Sequence, residues 1–232
     1  MPRKEFKAHL ITLYSKDCIE QYTPRFDNPL AMSTFDTTTL EARQFVAAGN
    51  EQAHVVQFYT KDSFLLDGLC EFARSALDDG ESVILVVSAA HRDGLVQRIK
   101  AGGVETRIAA KAGRYLLLDA AETMAKFMDG KMPDRRKFAS VMGAIIRRAE
   151  AAALVKYRRV AIFGEMVALL WAEKKFDAAI RLEQLWNELA KTHLFYLRCA
   201  YPVSGFEGAL KGEPYCAVCA EHSVVVPAEG LA

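Results

Sequence analysis

The sequence predicts an α/β domain of three layers, with a mainly parallel sheet covered by helices on both faces. Three observations carry this expectation. Short apolar runs rich in β-branched and aromatic residues alternate with longer segments of helical periodicity. The runs "SVILVV" (82–87) and "RRVAIFGE" (158–165) are almost uninterrupted, as in strands buried on both faces. Helical segments separate the strands, as the crossover connections between parallel neighbours require.

Residues 1–50 have no sustained periodicity and carry "YTPRFDNPLAMSTFDTTT", rich in turn formers and hydroxyls. They read as a partly ordered N-terminal extension, with a helix around "TLEARQFVAAG" ending at Gly49. Residues 51–232 read as the α/β domain, opening with the strand "HVVQFY" (54–59). In the next segment Phe64, Leu65, Leu69, Phe72, Ala73 and Leu77 recur at helical spacing. Asp62 or Ser63 serves as its N-cap, and Gly80 lies just past its end. After strand 82–87 comes the helix "AAHRDGLVQRIKAGG", closing on glycine. Residues 115–118 form a strand, Asp119 opens a helix, and "DRRKFASVMGAIIRRAEAAALVKY" reads as one long helix. After strand 158–163 come a short helix, "MVALLWAEKK", and an amphipathic one, "FDAAIRLEQLWNELAKTH". The latter's buried side is assigned to Phe176, Ile180, Leu182, Leu185, Trp186 and Leu189. "LFYLRCAYP" (194–202) is the last strong strand and stops at Pro202.

Composition narrows the function. Of 232 residues 51% are hydrophobic and 25% charged, with a formal net charge of +1. That balance gives no global attraction to nucleic acid or anionic surfaces. The locally basic stretch from Lys131 to Arg159 reads as a solvated face, balanced by Glu173, Asp177, Glu183 and Glu188. No apolar run approaches the roughly 20 residues of a membrane span, and "LITLY" is too short for a signal-peptide core. The five cysteines suit a reducing compartment, so a cytoplasmic location is expected.

Ligands of open parallel sheets bind beyond the carboxyl ends of the strands. That rule selects Tyr59, Asp62, Ser88, Asp119 and Glu165 as a candidate ligand-binding group, with His91 read as a solvated first-turn residue. Gly164 is expected to supply the tight turn between strand and helix before Glu165. The first strand-to-helix turn, "FYTKDSFLLDG", has neither a Walker lysine loop nor a dinucleotide glycine pattern. Without glycines it cannot gather several backbone N–H groups around a pyrophosphate, so no nucleotide cofactor is expected. There is no nucleophile elbow, and no catalytic residue is assigned. Cys216, Cys219 and His222 form C-x2-C-x2-H, a candidate metal or redox group that needs a fourth ligand such as Cys199 or His193 by tertiary approach. The plainer reading makes the two cysteines small apolar residues in a C-terminal strand or turn.

"HVVQFYTKDSFLLDGLCEFARSALDDGESVILVVS", "RVAIFGEMVALLWAEKKFDAAIRLEQLWNELAKTHLFYLRCAYPVSGF" and "CAEHSVVVP" together resemble the MEDS sensory-domain family over residues 53–227. Matching positions are His54, Gln57, Tyr59, Gly164, Glu165, Trp171, Glu183, Trp186, Tyr201, Pro202 and His222. The resemblance implies a RecA-like fold that has lost the phosphate-binding lysine loop, and a signal-input role in prokaryotic regulators. It transfers no catalytic residue, and Cys216 is not among the matching positions. The expectation is a non-catalytic sensory module that binds a small molecule or a signalling protein, without a membrane or nucleic-acid partner. The exposed face of helix 176–193 offers a surface for a homodimer. Two alternatives are a residual nucleotide-binding protein and a zinc- or redox-responsive switch through Cys216, Cys219 and His222.

Overall fold

The computed structural model describes residues 53–155, 159–206 and 212–228; the N-terminal extension and the helix expected near Gly49 lie outside them. In chain order the elements begin with β1 (His54–Tyr59), α1 (Asp62–Asp78), β2 (Ser82–Val87), α2 (Ala89–Ala101), α3 (Thr106–Lys111), β3 (Tyr115–Asp119) and α4 (Ala120–Ala125). The short strands β4 (Met128–Asp129) and β5 (Met132–Pro133) precede α5 (Arg135–Ala152), β6 (Val160–Gly164), α6 (Met166–Ala172) and α7 (Phe176–Leu189). β7 (Phe195–Pro202), a 3₁₀ turn (Val203–Phe206), α8 (Glu213–Ala220) and β8 (Val224–Val226) complete the described chain.

The six-stranded sheet has the order β3-β2-β6-β7-β1-β8. Every pairing in it is parallel. Period-2 alternation along each strand feeds two separate cores, which makes the third layer necessary. Val55, Val83, Leu85 and Phe163 pack on one face with Leu65, Leu69 and Phe72 of α1 and Leu95 of α2. Val56, Ile84, Ile162 and Leu197 pack on the other with Phe138 and Met142 of α5 and Leu182 and Trp186 of α7. This is the three-layer α/β fold that the patterning predicted.

Local chemistry moves several boundaries. Helix α1 is capped by Lys61, which makes no side-chain cap bond, and Asp62 is its first residue. The long helix does begin after Asp134, whose carboxylate accepts from the Lys137 N–H at 2.8 Å. It ends at Ala152, because Ala153 turns to ψ 143, short of the expected Tyr157. The C-terminal cysteine segment is a helix, α8, with proline in its first turn, not a strand or turn. α3 and the β4–β5 pair lacked a strong period and were not expected.

One turn sets the angle of α7. After α6, Lys174 adopts φ 58. Lys174 and Lys175 then donate backbone N–H bonds to the carbonyls of Trp171 and Leu170, both at 2.9 Å. This left-handed closure without glycine returns the chain over the sheet. Phe176 remains 39% exposed at the start of α7, contrary to its expected burial, whereas Trp186 is 1% exposed. Trp186 stacks edge-on against Phe138 at 5.0 Å and Phe195 at 5.9 Å, fixing α7 to both α5 and β7.

Trp186→Ala is expected to cost about 3–5 kcal/mol in urea unfolding. Ile108→Ala, at a position 65% exposed on α3, is expected to stay within about 0.5 kcal/mol of the native protein.

Candidate functional site

The carboxyl ends of β1, β2 and β6 bring four of the five selected residues together. Glu165 follows β6, and its backbone N–H is held by the Val86 carbonyl at 2.9 Å. Its side chain turns toward the start of α2, where Oε2 accepts the Ser88 N–H at 2.6 Å. Its Oε1 meets Nδ1 of His91 in a short contact. A carboxylate is well placed there, because a helix N-terminus presents unpaired N–H groups and a positive dipole end. The other ring nitrogen of His91, Nε2, lies 3.4 Å from Oδ1 of Asp62. The Tyr59 ring stands edge-on to His91 at 6.3 Å.

His91 is therefore the centre of the group rather than a solvated helix residue. It is 9% exposed and Glu165 only 2%, while the Asp62 side chain is 71% exposed. Asp119 is not drawn in: its carboxylate caps α4 by accepting from the Glu122 N–H at 2.9 Å. The hydrogen bond that Glu165 accepts raises the His91 pKa above its usual range despite opposing burial, and Asp62 adds to the rise. Burial, then the charges of Glu165 and Asp62, push the Tyr59 phenol up, so it remains a neutral wall.

Gly164 has another role than the one expected. It is not among the residues with positive φ. It is buried, yet a Cβ built there meets no atom within 4 Å. The residue thus leaves unfilled space at the end of the central strand. The β1–α1 turn consists of Thr60 and Lys61 alone. Such a turn is too short to wrap phosphates.

A second group lies on the α7 face of the sheet. His54 opens β1, Cys199 lies within β7, Glu183 projects from α7, and His222 follows α8. One potential ligand atom from each falls within 4.8 Å of the others, and all four residues are buried. Glu183 receives the Tyr201 hydroxyl at 2.8 Å and the Cys199 thiol at 3.2 Å. Burial and the neighbouring His222 hold the His54 ring below its usual pKa. Burial and the Glu183 charge push Cys199 and Tyr201 well up. Glu183 is 0% exposed, so it does not balance the basic stretch as expected. Glu188 does, bonding Arg135 and, at 3.2 Å, Arg181. The sequence signal for Glu183 was its place among Ala179, Leu182 and Trp186, which form one helical stripe.

The C-x2-C-x2-H motif is divided by the fold. Cys216 and Cys219 belong to α8, whereas His222 joins the Glu183 group, which contains neither cysteine of the motif. Burial raises the Cys219 thiol to about 12. His193 instead lies near Gly143 and bonds the Thr192 carbonyl at 2.8 Å.

Comparison with protein families gives a match over residues 53–214 to MEDS, the MEthanogen/methylotroph, DcmR Sensory domain. A comparison with curated proteins gave no match.

His91 gains a carboxylate partner on folding, and its native pKa lies above the ordinary 6.5. Its contribution to stability is fully present below the unfolded value and declines as pH rises through the raised native value. His91→Gln should cost about 1.5–3 kcal/mol on the acid side. The cost should shrink as pH rises, as checked by urea unfolding of both proteins across that range.

Proposed function

The chain belongs to the MEDS family of sensory domains, and we propose that it acts as a non-catalytic signal-input module in prokaryotic regulation. The observation that supports this reading best is the strand-end group: a buried Glu165 anchors His91, which faces the exposed carboxylate of Asp62. A small molecule with hydrogen-bonding groups docks here, contacting Asp62, Ser88 and the edge of His91, with Tyr59 as a wall. Glu165 supports this surface from beneath, because both its oxygens are already engaged within the protein. The occupied group then passes its state to a signalling protein partner.

Several features favour sensing over catalysis. The group has a histidine between two carboxylates, and both oxygens of the buried one are engaged within the protein. The two-residue β1–α1 turn weighs against nucleotide hydrolysis. Among the described residues no helix is long and apolar enough to cross a membrane; the module regulates transcription or a sensor kinase through a partner.

Thermal-shift screening of small polar metabolites is expected to find a ligand that stabilises the native protein, by about 2.7 kcal/mol at a hundredfold excess over its Kd. Asp62→Asn and His91→Gln should weaken that ligand at least tenfold. Equal stabilisation of the native protein and both variants would place the ligand elsewhere. Calorimetry with ATP and magnesium is expected to show no magnesium-dependent binding. Gly164→Ala is expected to fold and to gain up to about 1 kcal/mol, since it meets open space and restricts the unfolded chain.

A further inference from the structure

We propose that His54, Glu183, Cys199 and His222 form a closed binding site for a divalent transition metal of the zinc class, independent of the ligand surface around His91. The donor set is two imidazoles, one thiol and one carboxylate, all buried. Soft sulfur with imidazole selects zinc and its neighbours over magnesium or calcium, which take oxygen.

The separations fit one central ion. His54 Nε2 lies 3.2 Å from Glu183 Oε2 and 3.4 Å from Cys199 Sγ. Cys199 Sγ lies 3.2 Å from the same carboxylate oxygen, and His222 Nε2 lies 3.4 Å from Glu183 Oε1. Tetrahedral zinc with its usual bond lengths sets its ligands about 3.3–3.6 Å apart. The three edges among His54 Nε2, Cys199 Sγ and Glu183 Oε2 are already near that spacing, His222 Nε2 approaches the other carboxylate oxygen, and one donor atom from each of the four residues lies within 4.8 Å of the rest.

The surroundings fix which nitrogens face inward. The Asn187 amide NH₂ donates to the Glu221 carbonyl at 2.9 Å and to the Glu221 carboxylate at 3.2 Å. Its oxygen must therefore face His54 Nδ1 at 2.8 Å, so Nδ1 carries the proton and Nε2 points into the cluster. His222 Nδ1 lies 2.7 Å from the Val218 carbonyl and must donate as well. The inward Nε2 of His222 is a buried nitrogen without a hydrogen-bond partner. Metal-bound histidines are held in this way, with the outer N–H given to a carbonyl or amide oxygen. Tyr201 performs the equivalent task for Glu183.

Without an ion, one ring can be protonated to pair with Glu183 while the other stays neutral, and the two symmetric states are costly. If both rings are neutral, two lone pairs face a carboxylate. If both carry protons, two cations with centroids 4.1 Å apart share a single anion in a dry interior. A divalent ion removes both conflicts. Cys199 gives its proton to solvent on binding, and the charges of the ion, thiolate and carboxylate then cancel. The ion would tie β1, α7, β7 and the segment after α8 together at one point.

The decisive measurement is metal analysis of the full chain purified without added metal or chelator, followed by cobalt titration of the native protein after mild chelation. Near one equivalent of zinc-class metal is expected. The cobalt protein should show the visible bands of tetrahedral coordination with a near-ultraviolet thiolate-to-cobalt charge-transfer band. Cys199→Ser should remove the charge-transfer band, and His222→Gln should lower metal content at least tenfold, whereas Cys70→Ser should change neither. If a variant does not fold, the native cobalt spectrum decides. No metal on purification together with no tetrahedral, thiolate-bearing cobalt spectrum would overturn the site, as would full metal content in folded Cys199→Ser and His222→Gln.

Discussion

A parallel sheet covered on both faces has no wet side, so any charge that approaches it must be answered within the protein. Three buried carboxylates meet this constraint in different ways. At the amino edge, Glu81 accepts from Arg159 Nε at 2.7 Å and from the Tyr196 hydroxyl at 3.2 Å. At the carboxyl edge, Glu165 takes a backbone N–H and a histidine. On the α7 face, Glu183 is surrounded by two imidazoles, a thiol and a phenol. Each fixes a different junction: the α1–β2 turn to the starts of β6 and β7, the end of β6 to α2, and α7 to the sheet. Glu81 and Glu165 have partners matched to them; around Glu183 the donor set exceeds what a lone carboxylate requires.

The layers were legible because pattern reports burial directly. Uninterrupted apolar runs became the inner strands, and the helical stripe through Leu182, Trp186 and Leu189 became a buried face. Boundaries failed where the deciding force was tertiary. The long helix ends at Ala152 within a run of alanines, which no local signal separates. α8 is a helix although its cysteines and valine suit a strand equally well.

The site was half legible for a similar reason. Tyr59, Asp62, Ser88 and Glu165 follow from a rule about strand ends, which depends on connectivity that the pattern supplies. The rule also reached His91, but its burial did not follow, because the contacts with Asp62 and Glu165 come from other elements. The Glu183 group lies on the sheet's face, where the strand-end rule does not look. Its four members are separated by most of the domain, so no local motif joins them. The C-x2-C-x2-H spacing placed His222 with Cys216 and Cys219, whereas the fold places it beside Glu183.

The two groups meet in the backbone. Gly164, which precedes Glu165, is in register with Val86 on one side and with Cys199 on the other. Glu165 cannot lose its partners without leaving a buried charge, so an occupant that draws His91 away must give Glu165 another donor or shift the end of β6. A shift there is borne by the strand that carries Cys199. The unfilled space at Gly164 lies at this junction. A side-chain-sized space there lets the strand end shift with little loss of packing contact.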